Sequence, residues 1–314
     1  MNASDTEWFI IVNPNAGSGK TMSLWPPAQK RLDEHKIHYR AVLTSHRLHA
    51  TALSREAASK GFRRILGVGG DGTVHEIFSG ILSWCEQTGT DPAEFTIGIL
   101  PIGSGNDWIK STGIPGDTVK AVEQLAAGAF RTQDVIRVES PEGIRYMANV
   151  GGTGFDSHVC RSVNSQKDSG KRSSRIYINA LLSTIAHLGA ISVAVRADGA
   201  EVFSGKCLSI ALGEGRYSGG GMLQTSAADL DDGLLDAVII PRMGIGKIVR
   251  ELPRLFGGGL HESKAVKYLQ CRELEIVPLD SASEDIYELD GEIEGRLPLK
   301  ARVTGLKINI LGVI

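Results

Sequence analysis

The sequence has only four cysteines in 314 residues (Cys85, Cys160, Cys207 and Cys271), and no CxxC pair. That count and spacing argue against a zinc ribbon or a disulfide framework and suit a reducing compartment. No run approaches the roughly 18 apolar residues that a membrane span needs. The opening MNASDTEWFIIV lacks the basic segment and long apolar core of a secretory leader. The expected location is therefore cytoplasmic, with any bilayer contact peripheral and on the inner face. Charge of one sign is also lacking. With 34 basic and 36 acidic residues the net charge is −2, which gives no reason to expect nucleic acid as a partner. No internal repeat or low-complexity tail is present. Glycine, in contrast, is abundant at 38 residues, against a usual share of about 7%. Many of these glycines cluster in short runs, as turns built around a ligand would require.

The first 130 residues alternate between strand and helix patterns. Strands are predicted at Glu7–Asn13, His38–Thr44, Arg64–Val68 and Thr96–Pro101. Helices are predicted from Pro26 to about Lys36, over Leu48–Lys60, from about Val74 to Cys85, and over Asp117–Gly128. This rhythm predicts an α/β domain with a parallel sheet and helices on both faces. From about Phe130 the pattern changes to short alternating segments: Gln133–Val138, Arg145–Val150, Ser192–Val195, Glu201–Leu212, Leu235–Ile240 and Glu273–Val277. They predict a mainly antiparallel β-sandwich over 131–299, interrupted by helices near Ile176–Leu188 and Gly246–Phe256. Pro253 is expected to limit or kink the second of these. The strand-like Arg302–Ile310, in a tail from about 300 to 314, is expected to return to either domain.

Two glycine-rich turns follow apolar strands: ILGVGGDGTVHEI (65–77) and ILPIGSGNDWI (99–109). An open parallel sheet places its ligands at such strand ends, where glycines admit a phosphate and the next helix offers unpaired amides. Asp71 is expected in the first turn, with Thr73 capping the helix or donating to an oxyanion. Two such turns on neighbouring strands imply a shared crevice. NPNAGSGKT (13–21) is not a Walker P-loop, because Pro14 stands where GxxxxGK[ST] needs glycine. Gly17, Ser18, Gly19 and Lys20 can still cradle phosphate in a different loop.

NPNAGSGK, GGDGTVHE, LPIGSGND, NVGGTGFD and LDGE, in this order, resemble the diacylglycerol kinase catalytic fold of bacterial lipid kinases, which sphingosine and ceramide kinases share. The resemblance spans about residues 7–312. NAD kinases and phosphofructokinases carry turns similar to GGDGT, but SGND after LP, together with LDGE, points to the lipid branch. The resemblance implies an ATP- and Mg²⁺-dependent transferase of phospholipid metabolism that phosphorylates a membrane lipid. It assigns the nucleotide to Asn13, Pro14, Gly17, Ser18, Gly19, Lys20, Thr44, Gly69, Gly70, Asp71, Gly72, Thr73, His75, Ser104, Asn106 and Asp107. His75 stands where the family more often has asparagine. Glu292 corresponds to the family's general base and Asp290 to its acidic neighbour. A structural magnesium is implied at Asp232, with carbonyl oxygens of Asp229 and Leu234.

Phosphoryl transfer needs positioning and charge neutralisation more than covalent help. Asp71 and Asp107 are therefore the expected organisers of a catalytic magnesium, directly or through water. Plain alternatives stand beside these roles. Asp71 can bond its own turn, Asp107 can cap the helix after it, and both Glu292 and the run Asp229–Asp232 can lie on solvated turns. The basic stretch Lys167, Lys171, Arg172 and Arg175 and the apolar-glycine stretch Leu255–Leu260 are the candidate bilayer contacts. A sheet edge of the sandwich offers a surface for a homodimer. Competing functions are a kinase of a soluble alcohol such as an NAD-type nucleotide, and a nucleotide- or lipid-binding protein without catalysis.

Overall fold

The computed structural model describes residues 6–155, 157 and 190–313. The predicted helix Ile176–Leu188, the basic stretch at 167–175 and Cys160 lie outside the described residues. Two compact units make up the chain: residues 1–135 with 305–314, and residues 136–304.

In the first unit β1 (Trp8–Val12), β2 (Tyr39–Leu43), β3 (Arg64–Gly69) and β4 (Thr96–Pro101) form a parallel sheet in the order β2-β1-β3-β4. The end of β15 (Leu299–Leu311) adds beside β4 through Asn309 and Ile310. Parallel strands covered on both faces read as unbroken apolar runs. Ile10, Ile11, Val12, Ile65, Leu66 and Val68 are accordingly all buried. The β1–β2 and β2–β3 crossovers run in opposite directions across the sheet. Right-handed connection therefore puts α2 (Thr21–Glu34) on one face, and α3 (His49–Ser59) with α4 (Asp71–Thr88) on the other.

Two helix starts differ from expectation. α2 begins at Thr21, five residues before Pro26, and keeps both prolines inside it. Its buried face, Thr21, Trp25, Ala28 and Leu32, runs past the prolines, and packing outweighs their missing donors. α4 begins at Asp71 rather than near Val74, with Gly70 as N-cap. Asp71 therefore lies in the first helical turn, and Thr73 is not the cap. α5 (Asp107–Thr112) follows the second glycine turn, and α6 (Thr118–Ala126) is capped by Asp117, whose carboxylate accepts the Lys120 amide at 2.9 Å.

The second unit is antiparallel. Its long strand β9 (Ala200–Gly213) pairs β8 (Ile191–Ala197) through its first residues, and both β7 (Val150–Gly154) and β10 (Leu235–Pro241) through its last. β8 continues to β12 (Glu273–Pro278), and β12 to the start of β15. Its core gathers Val193, Val195, Ile210, Leu212, Leu274 and Ile276. The predicted strand Arg145–Val150 is in fact two, β6 (Gly143–Met147) and β7, broken at Ala148 and Asn149. β11 (Lys267–Cys271), β13 (Ile286–Leu289) and β14 (Glu292–Arg296) are additional strands. Pro253 does not limit its helix, which runs over Ile245–Gly257. Burial pushes the thiols of Cys85, Cys207 and Cys271 up to about 12, so they pack as small apolar groups. Among the described residues no helix is long and apolar enough to cross a membrane.

At Gly80, α4 lies directly on α3: a Cβ there would stand 1.9 Å from Ser54 Oγ and 2.5 Å from the Thr51 carbonyl oxygen. The Ser54 hydroxyl can rotate away, but the backbone oxygen cannot. Gly80→Ala gains about 1 kcal/mol of helix propensity against an overpacking cost of roughly 1–3 kcal/mol. Urea unfolding of the variant should show a net loss of about 1 kcal/mol, and a gain would mean that the two helices separate freely.

Candidate active site

Three glycine-bearing turns converge at the carboxyl ends of β1, β3 and β4, the edge where parallel sheets bind ligands. The first leaves β1 at Asn13, whose amide donates to the Val68 carbonyl at 2.9 Å and whose Nδ2 donates to Thr73 Oγ1 at 3.3 Å. Gly17, Ser18 and Gly19 then take φ of 55°, 65° and 83°, all in the left-handed region that favours glycine. A Cβ on Gly17 would lie 2.3 Å from the Ile102 oxygen, so this loop is seated on the turn after β4. Ser18, Gly19 and Lys20 are exposed, and Pro14 is half-buried.

The second and third turns touch each other. A Cβ on Gly70 would stand 2.8 Å from the Gly103 Cα, and one on Gly103 would stand 2.7 Å from the Gly70 Cα. Asn106 closes the third turn from within: its Oδ1 accepts the Gly103 amide at 2.9 Å and its Nδ2 donates to the Gly103 carbonyl at 3.0 Å. Ser104, at the tip, is exposed. Gly69 also has no room for a side chain, since Thr73 Oγ1 would lie 2.2 Å from its Cβ. Gly72 is half-buried in the first turn of α4, and Thr44 is buried just after β2, its amide donating to the Val12 carbonyl at 2.8 Å.

The acidic residues of these turns tie elements together. Asp71 Oδ1 accepts the backbone amides of Asp107 at 2.7 Å and Trp108 at 3.0 Å, capping α5 from the neighbouring turn. Its bonds therefore reach outside its own turn. Asp107 is not the cap of α5 but its first residue, and its carboxylate pairs with Lys110 at 2.7 Å. Trp108 is buried edge-on against Phe78 and donates its indole N–H to Gln133 at 3.0 Å. His75 is buried in α4. Glu76, next to it, accepts the amides of Leu48 and Ala50 at 3.0 and 2.9 Å and so caps α3. Trp108, Gln133 and Glu76 escaped the sequence reading. The glutamate's place beside GGDGT was visible, but its partners across 26 and 28 positions were not.

In the second unit, LDGE forms a hairpin turn between β13 and β14. Asp290 and Gly291 have φ of 54° and 85°, the two left-handed residues that a type I′ connection requires. Asp290 Oδ2 accepts the Ala148 amide at 2.9 Å and Oδ1 the Asn149 amide at 2.7 Å, which breaks β6 from β7. Asn149 in turn donates from its side chain to the Tyr217 carbonyl at 2.8 Å. Glu288 accepts the Gly291 amide at 2.8 Å. Glu292 opens β14, half-buried. In the run Asp229–Asp232, Asp232 Oδ1 accepts the Leu234 amide at 2.9 Å, and Asp229 and Asp232 are exposed. Carboxylate and carbonyl oxygens of this kind suit a hard cation. Among the described residues no three His, Cys, Asp or Glu side chains gather as a metal cluster.

Comparisons with known proteins agree with this architecture. A family model described as the diacylglycerol kinase catalytic domain matches residues 7–138, and one described as the YegS C-terminal NAD kinase beta sandwich-like domain matches residues 149–312. A diacylglycerol kinase of Mycobacterium tuberculosis is 27% identical over 303 residues, covering 96% of this chain and 93% of its own. A Xanthomonas oryzae protein named "Probable lipid kinase YegS-like" is 29% identical over 243 residues, 76% of this chain and 75% of its own. A crystal structure of a diacylglycerol kinase from Bacillus anthracis superposes with TM-score 0.75 at 21% identity, covering 98% and 97% of the two chains. A yeast NADH kinase has TM-score 0.50 at 10% identity, covering 98% and 84%. At these identities the two solved structures establish the fold: a parallel α/β part and an antiparallel sandwich, as the sequence pattern predicts.

The cap from Asp71 to α5 can be tested apart from chemistry. Asp71→Ala removes the acceptor of two helix N-terminal amides and should cost roughly 1–2 kcal/mol. Asp71→Asn keeps one acceptor oxygen and should cost less. Equal urea midpoints for both variants and the parent would remove the cap from the account of this turn.

Proposed function

The chain belongs to the family built on the diacylglycerol kinase catalytic domain followed by a YegS-type C-terminal sandwich, and from that premise we propose an ATP-dependent lipid kinase of phospholipid metabolism. Its acceptor is a membrane lipid hydroxyl of the diacylglycerol or sphingoid type. The observation that carries this reading is the convergence of the turns at 13–20, 69–75 and 102–107, which puts glycine backbone and the start of α4 on one strand edge. Such an edge suits a triphosphate. In this reading the first unit binds the nucleotide through those turns, and the second binds the lipid.

The acceptor oxygen attacks the γ-phosphorus, the bond from that phosphorus to the β-bridging oxygen breaks, and ADP leaves with the bond's electron pair. The hydroxyl proton passes to the Glu292 carboxylate, because an alcohol with a pKa far above neutral needs a positioned base. Asp290 holds the hairpin that presents Glu292. Magnesium, when bound, lowers the charge of the triphosphate. Asp71 and Asp107 are the residues to hold it, directly or through water, and Asp232 with the carbonyls of Asp229 and Leu234 is the second, structural candidate. The protein would work in the cytoplasm against the inner face of the membrane. Pairing of two copies would use a sandwich edge such as β14, the last strand in the sheet order.

The deciding assay uses γ-labelled ATP and Mg²⁺ with lipids in mixed micelles. A solvent-extractable labelled product is expected from the parent. Glu292→Gln should lose at least about 100-fold in turnover, the usual contribution of a positioned base, while its ATP affinity stays within about twofold. Label appearing only in NAD or a soluble alcohol would replace the lipid acceptor. Undiminished turnover in Glu292→Gln would remove its role as base.

A further inference from the structure

Asn149, 5% exposed, sits at the break between β6 and β7. Its amide donates at 2.7 Å to Asp290 Oδ1, in the turn that leads into Glu292. Its carbonyl oxygen accepts the amides of Glu214 and Gly215 at 2.8 and 2.9 Å, where β9 ends. Its side-chain Nδ2 donates to the Tyr217 carbonyl at 2.8 Å. One buried residue thus joins the hairpin of LDGE to the loop that follows β9. That loop is rich in glycine: Gly219, Gly220 and Gly221 take φ of 56°, 87° and 126°. Ser218 and Met222 close it on each other, each amide donating to the other's carbonyl, at 2.9 and 2.8 Å.

The fourth polar atom of Asn149 is the informative one. Its Oδ1 is buried and has no hydrogen-bond partner. An acceptor left so lowers stability, and such atoms in a folded protein call for an explanation. Turning the amide over does not help, because Oδ1 would then face the Tyr217 carbonyl, acceptor against acceptor. An apolar side chain of similar shape would carry no orphan atom. What asparagine supplies here, and such a side chain does not, is the donor to Tyr217. Local departures of this kind concentrate at functional sites.

We propose that Asn149 is a positioning residue for Glu292, locking the hairpin and the loop 214–222 into one arrangement. The proposal rests on the reading of Glu292 as general base and deepens it. Asp290 is held only as firmly as the amides that it accepts. One of these belongs to Asn149, whose carbonyl and side chain are both fixed to the loop. Releasing the side chain lets the loop shift, and the shift passes through Asn149 and Asp290 to Glu292. Proton transfer to a carboxylate depends on placement to within a fraction of a hydrogen-bond length.

The experiment makes two measurements on Asn149→Ala in the full chain. The first needs no acceptor: amide hydrogen exchange of the hairpin 286–296, read by mass spectrometry. Exchange there should quicken about fivefold, the effect of one net hydrogen bond, while α4 exchanges as in the parent. The second is a double-mutant cycle with Glu292→Gln, using labelled ATP and whichever acceptor the parent phosphorylates. Asn149→Ala alone should lower kcat about tenfold or more, with the KM for ATP within about twofold. In the Glu292→Gln background the same substitution should change kcat by less than about twofold, because it acts through the base. An equal loss in both backgrounds overturns the proposal, since a merely structural residue behaves that way. Unchanged exchange in the hairpin overturns it as well, whether or not lipid is phosphorylated. If Asn149→Ala lacks a cooperative thermal transition, both measurements pass to Asn149→Ser, whose hydroxyl is one bond shorter than the amide. A parent with no turnover on any lipid removes the lipid-kinase reading and leaves the exchange to decide the hold on the hairpin, so the two readings fail separately.

Discussion

Two glycine Cα atoms set the geometry on which the first unit depends. Gly70 and Gly103 approach so closely that a Cβ on either would fall inside 3 Å of the other's Cα. Real side chains do not tolerate that distance, so the turns after β3 and β4 form one object rather than two neighbouring loops. Asp71 reinforces the contact by capping α5 from across the junction. Glu76, five positions along the same helix, caps α3. One short motif therefore satisfies the N-termini of two other helices while leaving its own glycine backbone at the strand edge. Trp108 packed on Phe78 then holds α5 against α4. Positioning of this kind is most of what phosphoryl transfer asks of a protein.

The second unit uses the same device in a different setting. Asp290 holds two successive amides, of Ala148 and Asn149, just as Asp71 holds those of Asp107 and Trp108. A carboxylate that accepts two backbone N–H groups is strongly bound and strongly orienting. Loss of activity on substituting Asp71 or Asp290 does not by itself make either residue a participant in chemistry, because removing either also releases two main-chain donors. Stability and activity have to be measured together at these two positions. Gly151 shows the same economy of space beneath the hairpin: its Cβ would meet Leu289 at 2.6 Å and the Glu288 oxygen at 2.8 Å, so the strand under LDGE has to be bare.

What was legible in the sequence follows from the range of the interaction that decides each feature. The buried strands β1, β3 and β4 were legible because a parallel strand covered on both faces is written as one apolar run. The α4 start was misjudged because its capping residue is a glycine and its first turn looks like loop. The α2 start was misjudged because two prolines outweigh, locally, a buried face that only the sheet reveals. The break between β6 and β7 could not be read at all, since its cause, Asp290, lies 141 and 142 positions away. The hairpin at Asp290-Gly291 was legible in principle, because Asp-Gly is the signature of a type I′ turn. A turn is expected there, but not its two flanking strands, which are only 4 and 5 residues long. In the candidate site the residue types were readable, but not their distant partners: the hold of Asp71 on α5 spans 36 and 37 positions and has no local signature.

Helical periodicity carries a further lesson about what a sequence can say. In α2 the apolar positions Trp25, Ala28 and Leu32 are buried, because a sheet and a neighbouring helix receive them. In Ile245–Gly257 the apolar positions fall into two settings. One part, Ile248, Leu252 and Leu255, faces a cavity, and the other, Ile245, Val249 and Phe256, faces out. Periodicity records that a helix has an apolar side; it does not record what that side meets. Leaving three large apolar groups in water forgoes the roughly 1.5–3 kcal/mol that burial of each would contribute. Three such groups on one helix are a surface feature that apolar periodicity alone does not explain.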